Sequence, residues 1–300
     1  HTSSIVSGLQ NIITASTQSI IGAGSNNEIL DTSSSSSLIS GVGNKVIRSN
    51  SAILGSGSAN TITHSTNVVL GGGENNLISG ETSSSIVGGK DNIILRGTTK
   101  DYNIIGGGDG NLITNTTKSV IVAGENNTVT ASTHSIVGAG LNNIMNSDSH
   151  STLSSGIDNL ILSGDSNILG SGIKNKITSS DRTALMAGSG NTINLSDNSF
   201  VGSGELNLID KSKDSSIVGG DSNLISGETS SSIVGGWQNS INGNTFDGRD
   251  YNFIGGGVSN EVISDTSIIG AGKGNTITRS AMSLIGSGFQ NDISHSQHSS

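Results

Sequence analysis

A run of three glycines and an acid, Gly106 to Asp109, is the stretch of this 300-residue chain whose residue types most suggest chemistry. Glycine-rich loops bind phosphate where they open a helix and usually with a lysine nearby, whereas this run lies between two predicted strands. An aspartate after glycines is also typical of calcium-binding repeats, but successive repeats here do not carry Asp at that place. We therefore interpret the run as structural.

Histidine, serine and asparagine are the remaining candidates for chemistry. No serine has a histidine and an acid placed to activate it, and the histidines fall mainly in predicted turns or near the C terminus. Sequons for N-glycosylation begin at Asn115, Asn126 and Asn194, and they matter only in a host that glycosylates. We predict no catalytic, cofactor-binding or metal-binding residue, and hence no enzyme. The histidines are His1, His64, His134, His150, His295 and His298.

Composition excludes several classes of protein. The chain has 44 glycines, no proline, no cysteine and only 2% aromatic residues, so large side chains cannot fill its core. Its net charge of -9 is spread without runs of like charge, and we expect no nucleic-acid partner. We also expect no membrane span, because no apolar stretch approaches the length that a spanning helix needs. The first residues do not resemble a signal peptide, which places any export signal or anchor outside this chain.

An internal repeat with a period of about 16 residues organises the sequence, and one asparagine marks each unit. There are 18 markers, and 13 of the 17 spacings between them equal this period. The markers are Asn11, Asn27, Asn44, Asn60, Asn76, Asn92, Asn111, Asn127, Asn143, Asn159, Asn175, Asn191, Asn207, Asn223, Asn239, Asn260, Asn275 and Asn291.

Three further columns accompany the marker in every unit. The residue three before it is glycine, while the residues six before and two after it are aliphatic or Met. Both aliphatic columns lie in short β-branched runs with period-2 alternation, which predicts two short strands per unit. Glycine suits a turn with positive φ or a close backbone approach, and stacked asparagines can hydrogen-bond one another. We predict an all-β protein, a parallel β-solenoid (β-roll) of about 18 coils.

The outward positions of the first strand predict self-association. They lie seven and five residues before the marker, and a large residue at one usually accompanies glycine or serine at the other, as in Ile20 with Gly22 and Ser37 with Ile39. Volume compensation is typical of packed surfaces, so we expect a second copy to cover this face. The alternative is that Ile and Val there reflect only β propensity on an exposed strand.

Two longer repeats suggest loops and a duplication. The spacings from Asn92 to Asn111 and from Asn239 to Asn260 exceed all the others, and both contain Asp-Tyr-Asn. The segments 77–89 and 224–236 are identical, LISGETSSSIVGG. We predict one repetitive solenoid, 1–300, built as two duplicated nine-coil blocks of about 1–150 and 151–300. The loops, residues 98–101 and 245–250, are either surface contact points or tolerated insertions.

The runs SSIVGG at 84–89, HSIVGAG at 134–140 and SIIGAG at 267–272 resemble the heads of YadA-like trimeric autotransporter adhesins. Similar repeats occur in fibre proteins of phages and large viruses. The resemblance implies a left-handed parallel β-roll, three chains about one axis, and adhesion to matrix or host surfaces. The unit here is longer than the family's, and the chain has no neck, coiled-coil stalk or membrane anchor.

A second resemblance, to the grass-type ice-binding β-roll, rests on N-x-V-x-G-like units such as Asn76 to Gly80. Ice binding needs a regular array of Thr on one face, and pairs such as Thr61 with Thr63 alternate here with Glu28 and Leu30. We therefore expect a structural or adhesive segment of an extracellular, cell-surface or virion-surface fibre, a homo-oligomer that could also bind a host-surface or matrix ligand. An ice-binding module is the alternative.

Overall fold

The computed structural model describes residues 2–95, 101–243 and 251–295. It divides into two compact units, His1–His150 and Ser151–Ser300. The organisation as a single solenoid of two duplicated blocks stays a prediction.

Eighteen short strands lie in the described residues of the first unit. In chain order they are β1 (Ser4–Ile5), β2 (Ile12–Ile13), β3 (Ile20–Ile21), β4 (Glu28–Leu30), β5 (Ser37–Leu38), β6 (Lys45–Ile47), β7 (Ile53–Leu54), β8 (Thr61–Thr63), β9 (Val69–Leu70), β10 (Leu77–Ser79), β11 (Ser85–Ile86), β12 (Ile93–Leu95), β13 (Ile104–Ile105), β14 (Leu112–Thr114), β15 (Val120–Ile121), β16 (Thr128–Thr130), β17 (Ile136–Val137) and β18 (Ile144–Asn146).

The second unit repeats this arrangement. Its strands are β19 (Thr152–Leu153), β20 (Leu160–Leu162), β21 (Ile168–Leu169), β22 (Lys176–Thr178), β23 (Ala184–Leu185), β24 (Thr192–Asn194), β25 (Phe200–Val201), β26 (Leu208–Asp210), β27 (Ser216–Ile217), β28 (Leu224–Ser226), β29 (Ser232–Ile233), β30 (Ser240–Asn242), β31 (Phe253–Ile254), β32 (Glu261–Ile263), β33 (Ile268–Ile269), β34 (Thr276–Thr278), β35 (Leu284–Ile285) and β36 (Asp292–Ser294).

Alternate strands form two parallel sheets in each unit. The odd-numbered strands form the first sheet and the even-numbered strands the second, and each pairs with the equivalent strand one coil away, as Leu77 does with Ile93. The longer repeats keep this register, because Ser85 pairs with Ile104 and Ser232 with Phe253. All the regular structure in the described residues is strand, so the predicted fold class is confirmed.

The two predicted aliphatic columns form the core. One column comes from the first sheet and the other from the second, and their side chains are almost entirely inaccessible to solvent. Ile, Leu and Val fill this narrow interior because they stack in register from coil to coil, and each buried side chain contributes about 1.5–3 kcal/mol of transfer free energy. The exceptions are Ile5, Ile13 and Ile293, which are half-buried or exposed.

The invariant glycine serves both purposes predicted for it. Its φ lies between 94° and 127° in every coil, a region that side chains rarely adopt. A Cβ atom added to Gly24 would also collide with the carbonyl oxygen of Gly41, the equivalent glycine of the next coil. No other residue type fits this corner without displacing the adjacent coil.

The marker asparagines form a buried ladder. Asn76 donates from its backbone N–H to Oδ1 of Asn60 over 3.0 Å, and its Nδ2 reaches the same oxygen over 3.1 Å. Its Nδ2 also donates to the carbonyl oxygens of Gly72 and Gly89, at 3.1 and 2.9 Å. Stacked coils therefore satisfy an amide that would be costly to bury alone.

The opposite end of the coil is more elaborate than the simple turn predicted from the sequence. Backbone φ is positive at residues such as Ser51 (51°) and His64 (51°), neither of which is glycine. Single-residue bridges, such as that from Thr66 to Thr82, join this end of one coil to the same end of the next. Buried serines line the inside: Ser49 N–H donates to Ser33 Oγ over 3.1 Å, and Ser65 N–H to Ser49 Oγ over 3.1 Å. A second polar ladder thus complements the asparagines.

Candidate functional site

The glycine-rich run from Gly106 to Asp109 lies in an ordinary coil. Asp109 is exposed, forms bridges with Lys90 and Glu125, and donates its backbone N–H to the carbonyl of Gly124 over 3.0 Å.

Several histidines contact residues one coil away. The rings of His134 and His150 stack with centroids 5.0 Å apart, and Arg48 lies 3.4 Å from Nε2 of His64. His1 and His298 lie outside the described residues. Within residues 2–95, 101–243 and 251–295, no group of three or more His, Asp or Glu side chains is close enough to hold a metal ion.

The surface with the most distinctive residue pattern is the outer side of the first sheet, which we call the two-lane face. Its first lane is the residue seven before each marker, and its second lane is the residue five before it. In the first unit the pairs are Ser4/Val6, Ile20/Gly22, Ser37/Ile39, Ile53/Gly55, Val69/Gly71, Ser85/Val87, Ile104/Gly106, Val120/Val122 and Ile136/Gly138. In the second they are Thr152/Ser154, Ile168/Gly170, Ala184/Met186, Phe200/Gly202, Ser216/Val218, Ser232/Val234, Phe253/Gly255, Ile268/Gly270 and Leu284/Gly286.

Large side chains of the two-lane face are exposed in the isolated chain. The exposed fraction is 36% for Phe200, 57% for Ile39, 62% for Val87 and 72% for Val6. Since coils stack about 4.8 Å apart, nine coils present an apolar strip about 40 Å long in each unit. Such a strip, on the order of 400 Å² in area, is as large as the largest apolar patch of an ordinary monomer, and patches of that size often serve in binding.

The two-lane face differs from the outer face of the second sheet in its number of charged residues. None of the two-lane positions given above carries a charged side chain. The second sheet has six charged residues on its outer face: Glu28, Lys45, Lys176, Asp210, Glu261 and Asp292. Depletion of charge together with exposed aliphatic residues is typical of the centre of a protein–protein interface.

The backbone holds the two-lane face rigidly. Val87 N–H donates to the carbonyl of Ile105 over 3.0 Å, and Gly106 N–H to that of Ile121 over 2.9 Å. Because these bonds recur in coil after coil, the lanes cannot slide relative to one another. A partner would meet a preformed surface, which lowers the entropic cost of association.

Local packing explains part of the glycine pattern in the second lane. A side chain on Gly106 would collide with the carbonyl of Val122, and the ring of Phe200 lies 3.2 Å from where a Cβ of Gly202 would be. However, Val120 and Val122 occupy both lanes of one coil. That coil therefore tolerates two large residues side by side, whereas at second-lane glycines such as Gly22, Gly55 and Gly170 an added Cβ would collide with a carbonyl of the next coil.

The predicted contact loops lie almost wholly outside the described residues, since 96–100 and 244–250 are not described. Of the residues proposed for contact there, only Asp101 is described. Asp101 is buried, and its Oδ2 accepts the backbone N–H of Thr82 over 2.9 Å. Burial raises the pKa of its carboxyl above the ordinary value, and the bond from Thr82 opposes that shift. The neighbouring Tyr102 is 49% exposed.

A duplicated polar cluster adjoins each loop, and the sequence alone did not reveal it. Glu81 Oε2 accepts hydrogen bonds from Ser84 Oγ at 2.7 Å and from Asn103 Nδ2 at 3.1 Å. The second unit repeats the cluster with Glu228, Ser231 and Asn252, at 2.7 and 3.0 Å. Both glutamates are buried, at a position where many other coils carry serine, such as Ser65 and Ser212. In the sequence, the two identical LISGETSSSIVGG segments, which contain these glutamates and serines, are the feature that indicates the cluster.

None of the segments that the structure describes forms a helix long and apolar enough to cross a bilayer. No protein-family model matches the chain, and no curated protein matches it.

Proposed function

We propose that the chain is a structural segment of an extracellular fibre and that it self-associates along the two-lane face. The observation that carries the proposal is the row of exposed aliphatic and aromatic side chains, without a charge, on a rigid parallel sheet. The fibre setting rests on the resemblance of the repeats to autotransporter heads and viral fibres, which also favours a cell or virion surface.

The energetics favour association over a merely exposed strand. Covering the exposed half of one Ile or Val per coil contributes on the order of 1 kcal/mol. Nine coils of a unit together contribute several times that, which can offset the rotational and translational cost of pairing two rigid bodies. No charged group on the face has to be desolvated in return.

Sedimentation of purified chain tests the proposal. We expect an oligomer for the unmodified chain and a monomer for a double variant with Ile39→Asp and Val87→Asp, because both side chains are exposed and tolerate a charge in the monomer. Leu77→Asp, on the outer face of the second sheet, is the matched control and should leave the oligomer intact. An unmodified chain that sediments as a monomer at all concentrations overturns the proposal.

Adhesion through the loops is the second part of the proposal. The polar clusters around Glu81 and Glu228 fix the coils from which the two longer repeats depart, and exposed Tyr102 and Tyr251 stand beside them. Replacing 96–100 and 244–250 with short Gly-Ser linkers should abolish binding to surfaces coated with matrix protein while thermal stability is kept. Binding that survives this replacement contradicts the adhesive role.

Ice binding is an alternative supported by one feature of the first unit. From Thr61–Thr63 to Ile144–Asn146, six successive strands of the second sheet carry only uncharged, partly exposed residues on their outer face. Thermal hysteresis tests this alternative, with Thr128→Lys as the disrupting variant. Absence of hysteresis in the unmodified chain removes it.

A further inference from the structure

Two histidines, one coil apart, occupy the same corner of the first unit. His134 and His150 have φ of 52° and 53°, so their side chains leave the backbone in the same direction. The backbone N–H of each donates to the coil before it, His134 to the carbonyl of Thr117 and His150 to that of Thr133, both over 3.0 Å. The spacing of the coils therefore holds the two residues about 4.8 Å apart.

The rings of this histidine pair lie side by side on the surface. Their centroids are 5.0 Å apart, their planes are inclined by 8°, and both residues are exposed. Rotation of an imidazole about its Cβ–Cγ bond is soft, so exposed rings can tilt until one nitrogen of each faces a common point. A metal ion binds imidazole nitrogen at about 2.0–2.1 Å, which sets two such nitrogens about 3 Å apart. The pair can reach this geometry without any rearrangement of the coils.

The other described histidines have arginine as their neighbour. Nη1 of Arg48 lies 3.4 Å from Nε2 of His64, and Nη1 of Arg279 lies 3.3 Å from Nε2 of His295. A guanidinium keeps its positive charge and offers no lone pair, so it repels a metal ion instead of binding it. In the part of the chain that the structure describes, only the histidine pair brings two imidazoles into ring contact.

From this geometry we propose that His134 and His150 form a binding site for a divalent transition metal ion that prefers imidazole, such as Cu²⁺, Ni²⁺ or Zn²⁺. Two protein ligands leave the remaining coordination positions to water or to a donor group of another molecule. Lys118 stands at the same corner one coil before His134, and its exposed, flexible side chain can turn away from the ion. The site uses no residue of the two-lane face, so it does not depend on the proposed function.

This site departs from the expectation that the chain has no metal-binding residue. The two histidines are 16 residues apart in sequence, far from the short spacings that mark metal sites on a helix or in a loop. Stacking of the coils is what makes them neighbours.

Titration of the full chain with Cu²⁺, followed by electron paramagnetic resonance, tests the inference. In every sample His1 and His298 are replaced by Ser, so that imidazoles near the termini supply no ligand. We expect this parent chain to bind one ion through two nitrogens. His134→Asn and His150→Asn should each leave one nitrogen and weaken binding on the order of 100-fold, because the second ligand of a rigid pair acts at high effective concentration.

A matched control and a natural precedent accompany these variants. His64→Asn removes an exposed histidine that has no imidazole beside it, and it should leave the affinity for Cu²⁺ unchanged. Asn67 occupies the corner of the histidine pair in another coil, with φ of 56°, so asparagine is accommodated there and the variants should fold. Circular dichroism checks that they do.

Loss of the two-nitrogen spectrum in both variants, with the spectrum kept in His64→Asn, supports the site. Absence of Cu²⁺ binding by the parent chain, coordination through a single nitrogen, or equal affinity of the parent and the two variants overturns it. The spectrum of the folded parent decides by itself whether two nitrogens bind, even where a variant fails to fold.

Discussion

Oδ1 of Asn44 accepts two hydrogen bonds from Asn60, one from its backbone N–H at 3.0 Å and one from its Nδ2 at 3.1 Å. Nδ2 of Asn60 in turn donates to the carbonyl oxygens of Ser56 and Gly73, at 3.2 and 2.9 Å. One side chain thus joins its own coil to the coils on both sides. The position combines hydrogen bonding within a coil with hydrogen bonding between coils, and it is fully buried.

Substitution of Asn60 by Ala should destabilise the first unit strongly. The change removes the acceptor of the buried Asn76 N–H and the side-chain donor to the carbonyls of Ser56 and Gly73, of which Gly73 keeps the N–H of Ser58, at a cost of about 2–4 kcal/mol. The urea midpoint of unfolding measures the effect, with the exposed neighbour Ser58→Ala as control. Equal midpoints for the two variants would contradict the role assigned to the ladder.

Adjacent glycines in one coil should differ sharply in their tolerance of alanine. Gly108 has φ of 98°, and a Cβ there would collide with the carbonyl of Gly124, whereas a Cβ on Gly107 would meet nothing within 4 Å. We expect Gly108→Ala to cost more than about 2 kcal/mol and Gly107→Ala to be nearly neutral. Thermal unfolding of the two variants checks this, and a similar melting temperature for both would show the corner to be misassigned.

Two adjacent residues, Ile233 in β29 and Val234 directly after it, should separate an effect on folding from an effect on assembly. Ile233 is fully buried in the inward row, so Ile233→Asp places a charge in the core and prevents folding. Val234 is 43% exposed on the two-lane face, so Val234→Asp should fold and fail to self-associate. Circular dichroism reports the first property and sedimentation the second. A folded, assembled Ile233→Asp variant would refute the strand register.

The buried carboxyl of Asp101 should make stability depend on pH. Its pKa is raised in the folded state, so the folded chain binds a proton more readily than the unfolded chain, and lowering the pH through the raised pKa stabilises the fold. Asp101→Asn should therefore raise the melting temperature at pH 7, and the difference should vanish below the ordinary pKa of 3.8.

A natural precedent supports this substitution. Asn50 occupies the equivalent place in another coil, where its Oδ1 accepts the N–H of Ser34 over 3.1 Å. An asparagine can thus keep the bond that Asp101 makes with Thr82. A lower melting temperature for Asp101→Asn at both pH values would show that the charge is needed there.

The sequence predicted those parts of the fold that repeat in every coil. Gly24, Asn27 and Ile29 recur at fixed spacing, and each place has one physical solution, so the strands, the corner and the ladder followed from the pattern. The buried cluster of Glu81, Ser84 and Asn103 did not, because an acid among serines reads as a surface residue until its neighbours in the next coil are known. A repeat makes the residue types shared by every coil visible, but it does not show what a residue that differs from the shared type will contact.

The two-lane face was predictable in its residues but not in its exposure. Period-2 alternation placed Ile39 and Val87 outward, yet only the structure establishes that nothing in the chain's described residues covers them. The extra corners near Ser51 and His64 were missed because residues other than glycine adopt positive φ there, and no residue type marks them.

The asparagine ladder has a consequence for how the number of coils can change in evolution. Each amide offers the next coil the same acceptor and donates to the same carbonyl, so the asparagine corner of one coil can stack on that of another. Unequal crossing-over between repeats can therefore add or remove coils without disturbing this corner, except where a cluster such as Glu81 with Asn103 requires a particular neighbour. Such events would change the length in steps of one coil, and two identical segments, as at 77–89 and 224–236, are the pattern that they would produce.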